Sequence, residues 1–456
     1  MSGSPAPADL PVMGVRVAGG MTVAVPPRID LLTPYVLLEQ EDWFEDEIGF
    51  LRKRLGAGTR AIDIGANYGL YSLMLAGVAG EAGRVWSIEP ASQTAAYLRK
   101  SVEVNALANM TVIQKALSNR PGTARLSTEA NSELNSLTRS EAGGESEEVE
   151  IATLDALAEE FDWTRIDFLK LDAEGEEERI IEGGARFLRE DNPLAMFEIR
   201  HVERLNLQLI DRFRAAGYDP FLLVPGLDLL APFDSGAAAD SYRLNVFACK
   251  PERAKVLERQ GALARESPGV AKTDAIAHYR AAHDTTNPAA LRYAHLKAAF
   301  ADSSLASRTD GYALGSRARI ARELGQREQA VNLLNAALKA CLSGNGGDPK
   351  APRLPPVQAF DSIEPRGQAD SWLKAALLDG LVELSRFSTY FARGTPMEQP
   401  TLDRLEALKA TGFIRPPMER RRQLMRVLTG AQLGPLPDRA VTESAPDNLN
   451  PALWGG

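Results

Sequence analysis

The sequence predicts an α/β domain followed by an all-α domain. Strand-like and helix-like segments alternate from about residue 60 to residue 250, and beyond Lys250 the strand signal stops. The chain has 456 residues, too many for one ordinary core. Alternation of this kind needs crossover connections, and so a mostly parallel sheet with helices on both faces. The expected divisions are a leader at 1–28, the α/β domain at 29–250, the helical domain at 251–433 and an irregular Pro-rich tail at 434–456.

Taken in order, residues 42–55 place Trp43, Phe44, Ile48, Leu51 and Leu55 at helical spacing, and Gly56-Ala57-Gly58 stops the helix. Residues 60–64 read as a buried strand, 65–69 as a tight turn and 70–79 as a helix. The pattern repeats as strand 84–89, helix 92–105 and strand 110–115. Residues 125–150 are polar and rich in Ser, Glu and Gly, with room for short strands and a loop over the site that includes residues 132–136. Helix 154–161, strand 166–172, helix 176–189, strand 194–199 and helix 205–216 follow. Strands at 220–224 and 245–250 have no helix between them and suit antiparallel pairing at a sheet edge. In the helical half, Gly325, Ala330, Leu334 and Ala337 match the packing positions of a tetratricopeptide hairpin; an ordinary helical pair fits them equally.

Composition narrows the function classes. Apolar residues make up 44% and charged residues 25%, the profile of a soluble globular protein. A net charge of −9 argues against an electrostatic grip on nucleic acid. Arg420, Arg421 and Arg422 form a basic triplet, read as a solvated helix face. Cys249 and Cys341 stand far apart and support neither a disulfide framework nor a zinc cluster, which points to a reducing, cytoplasmic setting. No apolar run reaches the length of a membrane span.

The chemistry is carried by Ala61-Ile62-Asp63-Ile64-Gly65-Ala66-Asn67-Tyr68-Gly69. A strand feeding a glycine turn and a helix lets backbone approach a ligand closely and offers helix N–H groups. Ligands of such sheets bind at the carboxyl ends of the strands. A nicotinamide fingerprint starting at Gly65 would need glycines where Asn67 and Leu70 stand, and a P-loop would need Lys-Ser/Thr after Gly69. Asp63, at the strand end, suits a cationic ligand group better than a pyrophosphate. Glu89, ahead of Pro90 at the next strand end, is placed to accept the hydroxyls of a ribose.

Four blocks in order resemble the FkbM family of methyltransferases, within the class I S-adenosylmethionine-dependent fold. They are Asp63-Ile64-Gly65-Ala66-Asn67-Tyr68-Gly69, Glu89-Pro90, Thr153-Leu154-Asp155 and Leu169-Lys170-Leu171-Asp172-Ala173-Glu174-Gly175-Glu176, with Asn105 and Glu198 fitting between and after them. The resemblance spans about residues 30–250. It implies a Rossmann-like, seven-stranded sheet ending in an antiparallel hairpin, and S-adenosylmethionine as cofactor. It implies that Gly65, Asn67 and Gly69, with Ala66 and Asp63, line the methionine part. Glu89 with Pro90 would hold the ribose, Lys115-Ala116-Leu117 would edge the adenine, and Asp172 would close the site. It further implies O-methylation of a sugar, glycan or secondary metabolite.

Methyl transfer to a hydroxyl is helped by a base or a metal. Asp172, Glu174 and Glu198 lie at neighbouring strand ends, and His201 follows Glu198. Asp172, Glu198 and His201 are the catalytic candidates. The favoured reading makes Asp172 or His201 the base; the alternative puts a divalent ion on Asp172 and Glu198, where oxygen ligands suit magnesium. Glu176 and Glu177 read as solvated helix charges, and His278, His283 and His295 as structural or surface residues. Two other readings stand beside the enzyme. One is a scaffold whose helical half binds a protein partner or dimerises over a silent sheet domain; the other, weakened by the missing glycines, is a nicotinamide oxidoreductase.

Overall fold

The computed structural model describes residues 10–127, 137–138, 146–201, 204–234, 240–306, 308–349 and 353–430. The expected tail at 434–456 lies outside them. They divide into two compact units. One holds the chain up to Pro220 together with Leu244–Arg253; the other holds Phe221–Arg243 and the chain from Ala254.

The first unit opens on a hairpin, β1 (Met13–Arg16) and β2 (Thr22–Val25), paired antiparallel. The leader expected here is in fact packed chain: Met13, Val15, Val23, Ala24 and Val25 are buried. Asn105 fixes it, its side-chain amide exchanging hydrogen bonds with the backbone of Thr22 at 2.8 and 2.6 Å. Helix α1 (Leu32–Gln40) follows, with Tyr35, Val36, Leu37 and Leu38 all buried. Thr33 and Glu39 are buried as well, and a helix covered on every side lacks the polar face that periodicity detects. Helix α2 (Asp46–Arg54) starts later than expected, so Trp43 and Phe44 stand in the segment before it.

The alternating pattern then appears as β3 (Arg60–Ile64), α3 (Leu70–Ala79), β4 (Arg84–Ile88), α4 (Ser92–Val104) and β5 (Met110–Ile113). The polar insert forms a small sheet of β6 (Ala116–Leu117), β7 (Gly122–Ser127), β8 (Leu137–Thr138) and β9 (Ser146–Ala152), in the order β6-β9-β7-β8. Residues 132–136, expected near the site, lie outside the described residues. After α5 (Leu154–Glu160) and β10 (Phe168–Leu171) the expected single helix is two, α6 (Glu177–Gly183) and α7 (Ala185–Glu190), parted at Gly184. Then come β11 (Leu194–Glu198), the short antiparallel pair β12 (Arg200–His201) and β13 (Arg204–Leu205), and α8 (Gln208–Ala215).

The terminal strands include one more than expected. Strand β14 (Asp219–Val224) pairs antiparallel with β15 (Leu229–Pro232), which the sequence reading left out. Strand β16 (Asn245–Cys249) pairs antiparallel with β11. Within the first unit six strands align in the order β16-β11-β10-β3-β4-β5, parallel apart from β16. The strand count differs from the expected seven because β15 adds to β14, and this hairpin packs Val224, Leu229 and Ala231 into the core of the second unit. Strands β3, β10 and β11 are apolar nearly throughout, as strands covered on both faces must be.

Helix α9 (Pro251–Arg259) leads into the second unit, which continues as α10 (Ala275–His283), α11 (Ala289–Ala301), α12 (Ser303–Ala306), α13 (Gly311–Glu323), α14 (Arg327–Leu342), α15 (Ala369–Ser385), α16 (Glu398–Ala410) and α17 (Pro416–Gly430). Ala330, Leu334 and Ala337 are buried in one core with α13 and α15. The Arg420–Arg422 triplet is not a solvated face. Arg421 and Arg422 are buried, and Arg422 bonds Glu419 and Glu406 at 2.8 Å, because two turns of acid partners face it. The histidines are structural, but they have partners. His278 Nδ1 lies 2.9 Å from His295 Nδ1, and His283 Nε2 lies 2.8 Å from Glu323. Among the described residues no helix is long and apolar enough to cross a membrane.

Candidate active site

The turn after β3 is set by its glycines. Gly65 N–H and Ala66 N–H both donate to Ile88 O at 3.0 Å. Gly65, Asn67 and Gly69 take φ of +75°, +50° and +91°. A Cβ on Gly65 would lie 1.6 Å from the carbonyl oxygen of Asp172, so only glycine lets the end of β10 close against this turn.

Glu89 is tied to the same turn. Its Oε2 accepts the N–H of Asn67 and its Oε1 that of Ala91, each at 2.9 Å. Burial pushes the carboxyl up to about 7, against the pull of those two N–H groups and helped by the charges of Asp63 and Glu147. Each oxygen keeps acceptor capacity beyond its backbone bond.

Parallel register brings the acids together. Lys170 on β10 lies beside Asp63 on β3, and side chains in register share a face. Lys170 Nζ is 2.8 Å from Asp172 Oδ2 and 3.9 Å from Asp63 Oδ1, and sits 5.2 Å from the centroid of the Tyr71 ring. Asp63 Oδ2 accepts from Ser72 Oγ at 2.6 Å, and Ser72 from Ser87 at 2.7 Å, all buried. Asp63 Oδ1 is buried and accepts no hydrogen bond. Burial raises Asp63 above the usual carboxylate range despite Lys170 and Ser72.

Carboxylate oxygens of Asp172, Glu174 and Glu198 lie within 4.8 Å of one another. Burial raises Glu198 well above its usual range, and the Asp172 charge and the hydrogen bond with Asp172 raise it further. Burial also works against ionised Asp172, but Lys170 and the hydrogen bonds from Glu198 and Lys170 outweigh it and hold Asp172 low. The two neighbours are thus driven in opposite directions, Asp172 down and Glu198 up. Hard cations are held by such oxygen clusters, but Lys170 already supplies a buried positive charge in contact with Asp172.

One cleft joins these groups. Asp63, Gly65, Ala66, Asn67, Glu89, Pro90, Lys115, Ala116, Leu117, Asp172 and Glu174 line it. Gly69 does not; a Cβ there would meet Leu98 at 2.3 Å, so that glycine serves the packing of α3 on α4. Glu198 reaches the cluster through Asp172. His201 lies on β12, and its side chain is outside the described residues.

The sequence profile of the methyltransferase FkbM domain matches residues 63–220. The chain carries an FkbM methyltransferase domain. Solved structures similar to the chain include a methyltransferase FkbM from Methylobacillus flagellatus, at 16% identity and a TM-score of 0.29, covering 42% of this chain and 44% of that one. A putative rRNA methylase from Clostridium thermocellum gives 10% identity and a TM-score of 0.30 over 46% of this chain and 96% of that one. A putative methyltransferase from Streptococcus mutans, solved with SAH, gives 10% and 0.29 over 45% and 95%. No curated protein matches the sequence.

Within the FkbM domain, two blocks of the resemblance turn out to be scaffolding. Thr153 caps α5 by accepting from Ala156 N–H at 3.1 Å, and Asp155 accepts the N–H groups of Arg186 and Phe187 at the start of α7. Glu176 and Glu177, expected in solvent, are buried. Glu177 accepts the N–H groups of Ala173 and Gly175, which fixes the loop carrying Glu174, and Glu176 accepts from Ser118. The cleft also uses residues that sequence reasoning passed over: Thr33, Trp43, Glu45, Tyr71 and Lys170. Glu45 accepts from the Trp43 indole at 2.9 Å, Tyr71 OH at 2.5 Å and Asn245 at 2.9 Å. Only Lys170 left a sequence signal, a lysine inside an apolar strand.

Proposed function

We propose that the first unit transfers a methyl group from S-adenosylmethionine to a hydroxyl of a sugar, glycan or secondary metabolite. The observation that carries this reading is the Asp172 carboxylate, held 2.8 Å from the buried Lys170 ammonium at the strand end that closes against the Gly65 turn. In this reading Gly65, Ala66 and Asn67 border the methionine portion, Glu89 accepts the ribose hydroxyls, and Ala116 edges the adenine. S-adenosylmethionine supplies an electrophilic methyl. When bound, it would give that methyl to the acceptor oxygen, the carbon–sulfur electron pair leaving with sulfur. The hydroxyl proton goes to Asp172, and Lys170 keeps that carboxylate ionised and oriented. Glu198, raised by burial and by the Asp172 charge, hydrogen-bonds Asp172 and steadies it.

The role proposed for the helical unit is to bind a protein partner or to pair two copies, and the setting proposed for the chain is cytoplasmic. The methyl-transfer reading is tested with methyl-labelled cofactor and a panel of hydroxylated acceptors. Label should enter an alkali-stable ether, and Asp172→Asn should lower the rate by 10²-fold or more, the scale of a lost base. Label found only in esters or on nitrogen would contradict O-methylation.

A further inference from the structure

The sheet carries one polar row that the methyl-transfer step does not use. Register places Lys170, Asp63 and Ser87 side by side on β10, β3 and β4, so their side chains share a face. Ser72, from α3, reaches the same row. Ser87 Oγ donates to Ser72 Oγ at 2.7 Å, and Ser72 Oγ donates to Asp63 Oδ2 at 2.6 Å. On the other side Asp63 Oδ1 is ion-paired with Lys170 Nζ at 3.9 Å. Each oxygen of Asp63 has its own neighbour, which holds the carboxylate against rotation.

The two hydroxyls stand where apolar side chains would serve packing. Leu73, Leu75 and Ala76 on α3 and Val85 and Trp86 on β4 are buried around them, and Ser72 and Ser87 are each 0% exposed. A buried hydroxyl costs free energy unless it is hydrogen-bonded. Both are bonded, in one chain that ends on a carboxylate lining the cleft. Burial raises Asp63, while Lys170 and Ser72 oppose it, so the serine favours the ionised form. A satisfied buried network of this kind fixes its members in one arrangement.

On the methyltransferase reading above, on which this rests, the Gly65 turn that follows Asp63 borders the methionine portion, whose cationic end is an ammonium. We propose that Ser72 and Ser87 are positioning residues for the cofactor: they hold the Asp63 carboxylate turned toward that ammonium.

The test is isothermal titration of the full chain with three probes. S-adenosylhomocysteine has the ammonium and the carboxylate, S-adenosyl-3-thiopropylamine keeps the ammonium alone, and 5′-methylthioadenosine has neither. Ser72→Ala should weaken binding of the first two at least fivefold and leave the third within twofold. Ser87→Ala should show the same selectivity at a smaller size, and it carries the test if Ser72→Ala does not fold. Asp63→Asn should cost both amine probes at least tenfold. In that background Ser72→Ala should cost less than twofold, as a residue acting only through Asp63 must. Equal weakening of all three probes, no weakening of the amine probes, or an undiminished effect of Ser72→Ala beside Asp63→Asn would overturn the proposal. Failure of the unsubstituted chain to bind S-adenosylhomocysteine would instead end the methyltransferase reading, and this inference with it.

Discussion

Replacing Glu89 by glutamine separates the cost of burying its charge from the work that charge does. The folded protein holds the Glu89 carboxyl at about 7, against an ordinary value of 4.5, with burial the main cause. Below pH 4.5 folded and unfolded chains both keep the proton, and the group contributes no pH dependence. Between 4.5 and 7 the unfolded chain releases the proton and the folded one keeps it, so stability falls as pH rises. The total is about 3 kcal/mol, from roughly 1.4 kcal/mol per tenfold in proton affinity. Glutamine has no such slope. It pays a pH-independent cost of about 1–3 kcal/mol, because its NH₂ must face one of the two backbone N–H groups now bonded to the carboxylate. Urea unfolding followed by tryptophan fluorescence, at steps from pH 4.5 to 8, gives the difference between the two proteins. That difference should move by about 3 kcal/mol in favour of the variant across the range. A difference that stays flat would refute the buried, proton-holding Glu89.

Three further predictions follow from the same site. Gly65→Ala forces a Cβ against the Asp172 carbonyl at positive φ, and should cost about 3 kcal/mol or more in urea unfolding, or yield unfolded protein. Lys170→Met removes the cation between Asp63 and Asp172 and should cost about 3–5 kcal/mol at pH 7; the loss should shrink at pH 5, where the abandoned carboxylates take up protons. EDTA should leave methyl transfer unchanged within twofold, since Lys170 supplies the positive charge at Asp172; loss of activity restored by magnesium would move the catalytic role to a metal on the acid cluster.

The parts of the site legible in the sequence are local ones. Asp63, Gly65, Asn67, Glu89 and Asp172 sit at strand ends or in the turn after a strand, and such positions can be read from hydrophobic runs and glycines. The parts not legible depend on long-range packing. Glu45 enters the cleft because Tyr71 and Asn245, from α3 and β16, bond to it, and no local pattern marks that meeting. Helix α1 is covered on every side, Thr33 and Glu39 included, and such a helix shows no periodic face. Gly69 reads like its neighbours in the motif, yet the tight approach of Leu98 shows that one glycine of the turn answers to packing. Glu176 and Glu177 look like ordinary helix-start acids, and only the folded loop turns them inward. Strand β15 is only four residues long, and its pairing with β14 and its packing into the helical unit's core are set by distant residues.

The central claim is that this cleft binds the sulfur cofactor through Glu89. Isothermal titration of the full chain with S-adenosylmethionine, S-adenosylhomocysteine and NADH, beside Glu89→Ala, tests it most directly. Both sulfur compounds should bind, NADH should not, and the variant should lose at least tenfold in affinity for each, the scale of charge-assisted hydrogen bonds. Silence toward both sulfur compounds, or equal binding by the variant, would contradict the account.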